Sequence, residues 1–214
     1  MSLVHAKRKA DVRMFPYDLS KPDDVASLCS ELASLPVAIL VNNASFGYVG
    51  SFLEQPCDNI NEQLEVNLRA YTALMHAFTQ RMVRAGKGRV LNVASVASIY
   101  PGPNHAVYYA AKAFVLSLSE ALHFELRSTG VAVTALCPGP IDTEFFDAAR
   151  AQGTLYASGP KQEPNFVAAM GVRAMFKGEQ VAIPGMSMKL MIHLQMLAPR
   201  LLKVWLQNTG WSKV

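Results

Sequence analysis

The stretch SVASIYPGPNHAVYYAAK, residues 95–112, joins an apolar run to a helix-forming segment, and the fold is decided there. Upstream, Val90-Leu91-Asn92-Val93-Ala94 has the near-continuous apolar character of a parallel strand buried on both faces. Downstream, Tyr109, Ala110, Ala111, Ala113 and Phe114 suit a helix predicted to run to about Ser128, with Leu116, Leu118, Leu122 and Leu126 apolar and Gly130 as its stop. A strand that passes through a loop into a helix delivers its last residues to the carboxyl edge of a sheet, where open α/β folds keep their ligands. Ser95 falls at that edge. Tyr108 and Lys112, four positions apart, share one helix face. A phenol, with an ordinary pKa of about 10, is a poor acid or base at neutral pH. An ammonium one turn away favours the phenolate and draws that pKa toward the range where general acid–base catalysis is efficient. Each residue also has a plainer use: Tyr and Lys at this spacing commonly serve packing and a solvated charge, and a Ser after a strand commonly caps a turn.

Working outward, Val12-Arg13-Met14-Phe15-Pro16-Tyr17 alternates like a short strand and ends at Asp18-Leu19-Ser20. Ser20, followed by Pro22, Asp23 and Asp24, predicts a capped helix start, running to about Leu35 and closed by Pro36. Val37–Val41 predicts another fully buried strand. It runs into Asn42-Asn43-Ala44-Ser45-Phe46-Gly47, small and polar residues that let a ligand approach the backbone. A long helix is predicted over 60–85, with Leu64, Leu68, Tyr71, Met75 and Phe78 at core spacing. Asn67 lies beside that stripe, either pointing to water or pushed as a polar group into a pocket. Val131–Leu136 is a further buried strand, running into the turn Cys137-Pro138-Gly139-Pro140-Ile141-Asp142-Thr143.

Residues 144–180 hold a predicted loop or lid over a pocket, with a helix over 165–177, and 181–184 reads as a final short strand. The tail from 186 to 214 is rich in Met and Leu, with Lys189, His193, Arg200 and Lys203 interspersed. A membrane-surface helix has that character too, but such tails more often pack on their own domain or on a sister subunit, and that is the expectation here. Residues 1–10 give no clear element. The alternation of strand and helix predicts one α/β domain over 1–214, a Rossmann-like doubly wound parallel sheet with right-handed crossovers.

Composition narrows the function. Of 214 residues, 51% are hydrophobic and 17% charged, enough for a buried core and against disorder. The net charge of +4 comes from scattered residues, among them Lys7-Arg8-Lys9, Arg81, Lys87 and Arg89, with no long basic block or interleaved aromatics, so nucleic acid is not the expected partner. Cys29, Cys57 and Cys137 are odd in number and far apart, as reduced thiols of a cytoplasmic protein would be. The five His residues form no H-E-x-x-H arrangement, and no metal is expected. No run of about 20 apolar residues and no signal-peptide core is present.

From about Asp11 to Pro184 the chain resembles the short-chain dehydrogenase/reductase family. The family's Y-x-x-x-K is matched by Tyr108 and Lys112, and its serine 13 residues upstream by Ser95. Its N-N-A-G turn is matched by Asn42-Asn43-Ala44-Ser45, with Ser45 in place of the glycine, and its following asparagine by Asn67. A later P-G turn with a threonine is matched by Pro138, Gly139 and Thr143, and an aspartate after the third strand by Asp18. The resemblance implies hydride transfer between NAD(P) and a small-molecule carbonyl or alcohol, with NADP taken slightly ahead of NAD. In that scheme Tyr108 donates the proton, Ser95 orients the substrate, Lys112 binds the nicotinamide ribose and tunes Tyr108, and Asn67 holds a water. Asp18, Asn43 and Ala44 would line the adenosine side, and Gly139 and Thr143 the nicotinamide side. Homo-oligomerisation through the helices around 60–85 and 107–128 is also implied.

One departure stands out. The family begins with a strand, a T-G-x-x-x-G-x-G turn and a helix that together hold the pyrophosphate. Here Gly86-x-Gly88 precedes a strand and lacks the third glycine. The expectation is therefore a domain lacking a first unit of at least ~30 residues, with apolar strand edges left exposed. Readings left open are an oxidoreductase and a catalytically silent homologue acting as a partner in a dimer; epimerase or dehydratase chemistry on the same Y-x-x-x-K face is a third possibility, but the 13-residue Ser95 spacing and the Asn67 match point instead to the classical reductases. The apolar residues Phe145, Phe146, Leu155, Tyr156, Met170 and Met175 favour a hydrophobic substrate, though core packing accounts equally for several of them.

Overall fold

A computed structural model describes residues 11–197 and 199–212. Its centre is a four-stranded, all-parallel sheet in the order β1 (Ile39–Asn42), β2 (Gly88–Val93), β3 (Val131–Leu136), β4 (Val181–Ala182). The apolar runs read from the sequence are these strands, and the sequential order follows from crossovers through helices. The helices are α1 (Pro22–Glu31), α2 (Cys57–Leu64), α3 (Tyr71–Arg84), α4 (Ala106–Glu125), short α5 (Phe145–Ala148) and α6 (Leu155–Ser158), then α7 (Pro164–Lys177), α8 (Met186–Leu197) and α9 (Arg200–Trp211). On one face of the sheet, Met75, Phe78 and Met82 of α3 pack on Val90, Val131 and Val133, with Leu118 and Leu122 of α4 and Leu28 of α1 at the margin. On the other, Val167, Ala174 and Met175 of α7 pack on Leu91 and Leu136. Gly171 permits that approach, since a Cβ there would lie 2.7 Å from Leu136 Cδ2.

Four local expectations are corrected. Residues 12–17 form no strand and run as exposed or half-buried coil, because a strand needs a neighbour to take its backbone bonds and none of the described strands pairs with it. Ser20 does not cap α1. Lys21 holds that position, and the Ser20 amide and hydroxyl both donate to Asp18 Oδ1. The predicted helix over 60–85 is broken by a wider π-helical turn, Glu65–Ala70, centred on Asn67. Among the described residues β1 is an edge strand with Ile39 41% and Val41 50% exposed, so an apolar edge is open as expected, and the full burial read for Val37–Val41 is corrected: no described strand covers that side. Residues 1–10, including Lys7-Arg8-Lys9, lie outside the described residues.

The tail packs on its own domain. Trp211 of α9 is buried with Tyr109 and Phe146, while Leu201 and Trp205 face outward. Among the described residues no helix is long and apolar enough to cross a membrane.

Candidate active site

The carboxyl ends of β2 and β3 open into a cavity of about 400 Å3. Ser95, Tyr108, Lys112, Asn43, Gly139 and Thr143 all line it, although they come from four separate stretches of chain. Ser95 sits there because β2 ends two residues earlier. Its backbone is extended and its Oγ accepts the Ala97 amide at 3.1 Å, which starts a single 3-10 turn over Val96–Ser98. Pro101, Pro103 and Asn104, the last with φ 60, carry the chain from that turn into α4.

Tyr108 is 9% exposed, and its ring stacks on His105 at 4.4 Å between centroids. Burial pushes the phenol above its ordinary pKa, and the nearby Ser95 hydroxyl pulls weakly the other way. Lys112, 2% exposed, donates from Nζ to the Val93 carbonyl at 2.7 Å, with Nζ 5.6 Å from the Tyr108 ring centroid. Burial pushes its ammonium down to about 7. The expected depression of the phenol pKa by Lys112 is thus overturned. Desolvation disfavours the charged form of both groups and sets the direction of both shifts.

Asn67 is fully buried but lies behind the cavity wall. Its Nδ2 donates to the Phe46 carbonyl at 2.8 Å and its Oδ1 accepts the Phe46 amide at 3.3 Å, which clamps the loop after β1. The π-helical turn sets the Asn67 side chain toward that loop, a use such turns often have at functional sites. Asp18 and Ala44 are not brought to the cavity. Ala44 borders a second, apolar hollow of about 270 Å3 shared with Asn43 and Leu19, and the Asp18 carboxylate is engaged by Ser20 and Lys21. Asn43 lies at the junction of the two spaces.

Among the apolar residues singled out, Phe145, Phe146 and Tyr156 line the cavity. Met175 belongs to the core under α7, and Leu155 is 55% exposed. Other residues take roles here that spacing along the chain does not reveal. Tyr71 donates its hydroxyl to the Asn42 carbonyl at 2.6 Å and lies 3.1 Å from the Val93 carbonyl, tying the ends of β1 and β2 together. Asn42, Asn92 and Ser119 form a buried ladder from β1 through β2 to α4. His105 stands in the quoted stretch, yet its position against Gly47 is a matter of tertiary packing: a Cβ on Gly47 would lie 2.4 Å from His105 Nε2.

A parallel sheet with this Ser–Tyr–Lys set at its carboxyl edge defines a dinucleotide-type oxidoreductase architecture. A family model described as short chain dehydrogenase matches residues 2–153, and the chain belongs to that family. It is 32% identical over 173 residues to nodulation protein G of Rhizobium meliloti, spanning 80% of this chain and 67% of that protein. It is 33% identical over 148 residues to the very-long-chain 3-oxoacyl-CoA reductase of Bos taurus, 67% of this chain and 47% of that one. Among solved structures, a short-chain dehydrogenase from Sphingobium yanoikuyae in complex with NADPH superposes with a TM-score of 0.76 at 29% identity, covering 84% of this chain and 70% of that chain. The chain therefore spans only part of each of these relatives.

Proposed function

We propose that the chain transfers a hydride between a nicotinamide cofactor and a hydrophobic carbonyl or alcohol, with Tyr108 as the proton donor in reduction. The observation that carries this is the meeting of Ser95, Tyr108 and Lys112 in one cavity whose remaining lining is mostly aromatic and aliphatic, with a few polar groups among them. When bound, the cofactor supplies or accepts the hydride. Ser95 Oγ holds the carbonyl oxygen. Burial keeps the Tyr108 phenol protonated at neutral pH, so the proton is in place when negative charge develops on that oxygen. As the proton leaves, the Lys112 ammonium, close to the phenol ring, stabilises the phenolate. A lysine pKa of about 7 lets the same group exchange protons near neutrality. Asn67 acts as a positioning residue by fixing the Phe46 backbone.

The residues present fit the nicotinamide and ribose end of such a cofactor. Ser45 Oγ is buried at the cavity wall with no partner among the described residues, Lys112 offers a donor, and Gly139 and Thr143 line the same space. Asn43 and Ala44 continue toward the second hollow. Among the described residues no strand-to-helix turn carries the glycine spacing that would hold the pyrophosphate. NADP is placed ahead of NAD on the strength of the Sphingobium relative's NADPH complex. Three unpaired thiols support a reducing, cytoplasmic setting, and exposed Phe114 and Phe124 on α4 support pairing with a second copy.

Calorimetric titration of the 214-residue chain with NADPH and NADH tests the proposal. Micromolar binding, followed by ketone reduction that Tyr108→Phe abolishes, is the expected result. A folded chain that binds neither cofactor up to millimolar concentration overturns it in favour of a silent homologue.

A further inference from the structure

The cavity has a second polar feature, away from the Ser95–Tyr108–Lys112 set. Trp211 Nε1 donates to the Tyr109 hydroxyl at 2.7 Å, which donates to Gln207 Oε1 at 2.8 Å. The Tyr156 hydroxyl donates to the same Oε1 at 2.9 Å. None of these bonds reaches Ser95, Tyr108 or Lys112. They join α9 to α4 and α6, so the far end of the chain builds this wall. Gly210 makes the junction close, since a Cβ there would lie 2.1 Å from Tyr156 Cε2.

Counting donors and acceptors shows what the wall leaves unused. Gln207 Oε1 has both lone pairs taken by hydroxyl protons, while Nε2 makes no hydrogen bond to any described residue. Gln207 is 5% exposed and lines the cavity. The Tyr100 hydroxyl is buried with no partner among the described residues, at 7% exposure of the residue, and it too belongs to a cavity-lining side chain. Tyr100 lies near enough to Tyr109 and Tyr156 to interact with them electrostatically. Leaving the buried Tyr100 hydroxyl unpaired costs free energy unless something in the site bonds to it, while Gln207 Nε2 is available to donate into the cavity. All the groups are uncharged: burial pushes Tyr100 up to about 12 and raises Tyr109 and Tyr156 as well. The wall offers neutral donors and no cation, which suits an uncharged oxygen and disfavours a carboxylate or phosphate.

We infer that the Tyr100 hydroxyl and Gln207 Nε2 form a second recognition point that takes a hydroxyl or carbonyl oxygen on a bulky, otherwise apolar substrate, remote from its reacting carbon. The substrate class is thereby narrowed from any hydrophobic ketone to one with a second, neutral oxygen. This rests on the oxidoreductase reading of the same cavity, and the test separates the two.

The chain has two tryptophans, and Trp211 lies in this wall, so in a Trp205→Phe background its emission reports binding without turnover. The probes are 4-phenylcyclohexanone and 4-(4-hydroxyphenyl)cyclohexanone, which differ only in the remote hydroxyl. Roughly 3- to 10-fold tighter binding of the hydroxylated ketone is expected, the worth of a net hydrogen bond in a buried site. Gln207→Met and Tyr100→Phe should each bring the ratio toward one. Should Gln207→Met fail to fold, Tyr100→Phe carries the same comparison, because its hydroxyl has no partner among the described residues. Equal binding of the two ketones, or a preference that survives both substitutions, overturns the inference. A preference without NADPH oxidation sinks the oxidoreductase reading and leaves the subsite standing, whereas NADPH oxidation with equal affinities sinks the subsite alone.

Discussion

Replacing Lys112 by Met should change how stability depends on pH. Lys112 is 2% exposed, and burial lowers its pKa from the ordinary 10.5 to about 7. Between those values the unfolded chain holds a proton that the folded chain has released. Stability rises with pH wherever the unfolded state binds more protons, so this contribution is complete above the unfolded pKa and is lost as pH falls toward 7. The shift corresponds to about 5 kcal/mol over the full window, of which about 2 kcal/mol falls between pH ~7 and ~9. Other perturbed groups, Tyr100 pushed up to about 12 and Cys137 raised from 9.0 to about 11, are present in both proteins, so their effects cancel in the comparison. Urea unfolding at the two pH values measures the difference. The parent chain should gain about 2 kcal/mol more than Lys112→Met on going from pH ~7 to ~9. Parallel profiles would show that Lys112 stays charged in the fold and would refute the desolvation argument.

Acid should expose His105 in the same way: its pKa is pushed from 6.5 to about 3, so stability present above the unfolded value is lost as pH falls. Unfolding at pH ~7 and ~5 should show a loss of about 2 kcal/mol that His105→Phe, which keeps the ring against Tyr108, largely escapes. Gly47→Ala places a Cβ 2.4 Å from His105 Nε2 and 3.1 Å from Tyr108 Cδ2. It should lower stability by about 1–3 kcal/mol in thermal melts and reduce turnover by shifting the Tyr108 ring. Asn67→Ala removes both bonds to the Phe46 backbone and should cost about 2–4 kcal/mol, with faster amide exchange at Phe46.

Much of this architecture is legible along the chain. The strands at 88–93 and 131–136 are buried between helices, so their apolar runs are nearly unbroken and mark them without ambiguity, whereas β1 at 39–42 carries the same kind of run at the open edge of the sheet. Residues 12–17 mislead for the same physical reason. Alternation shows what a strand can bury and says nothing of whether a neighbour exists to pair with it. Ser95, Tyr108 and Lys112 could be found because one turn of helix and one strand end bring them together locally. Gln207 and Trp211 could not, since their meeting with Tyr109 depends on a tail about one hundred positions away folding back over α4. The pKa directions were also out of reach. Spacing places an ammonium near a phenol, but only burial decides whether attraction or desolvation prevails.

The most direct test follows nicotinamide absorbance while the chain is mixed with NADPH and 4-phenylcyclohexanone, comparing the parent with Tyr108→Phe. The account predicts steady NADPH oxidation by the parent, and at least a ~100-fold loss in the variant while its cofactor affinity is kept. Equal oxidation by both proteins would contradict the assignment of Tyr108 as proton donor.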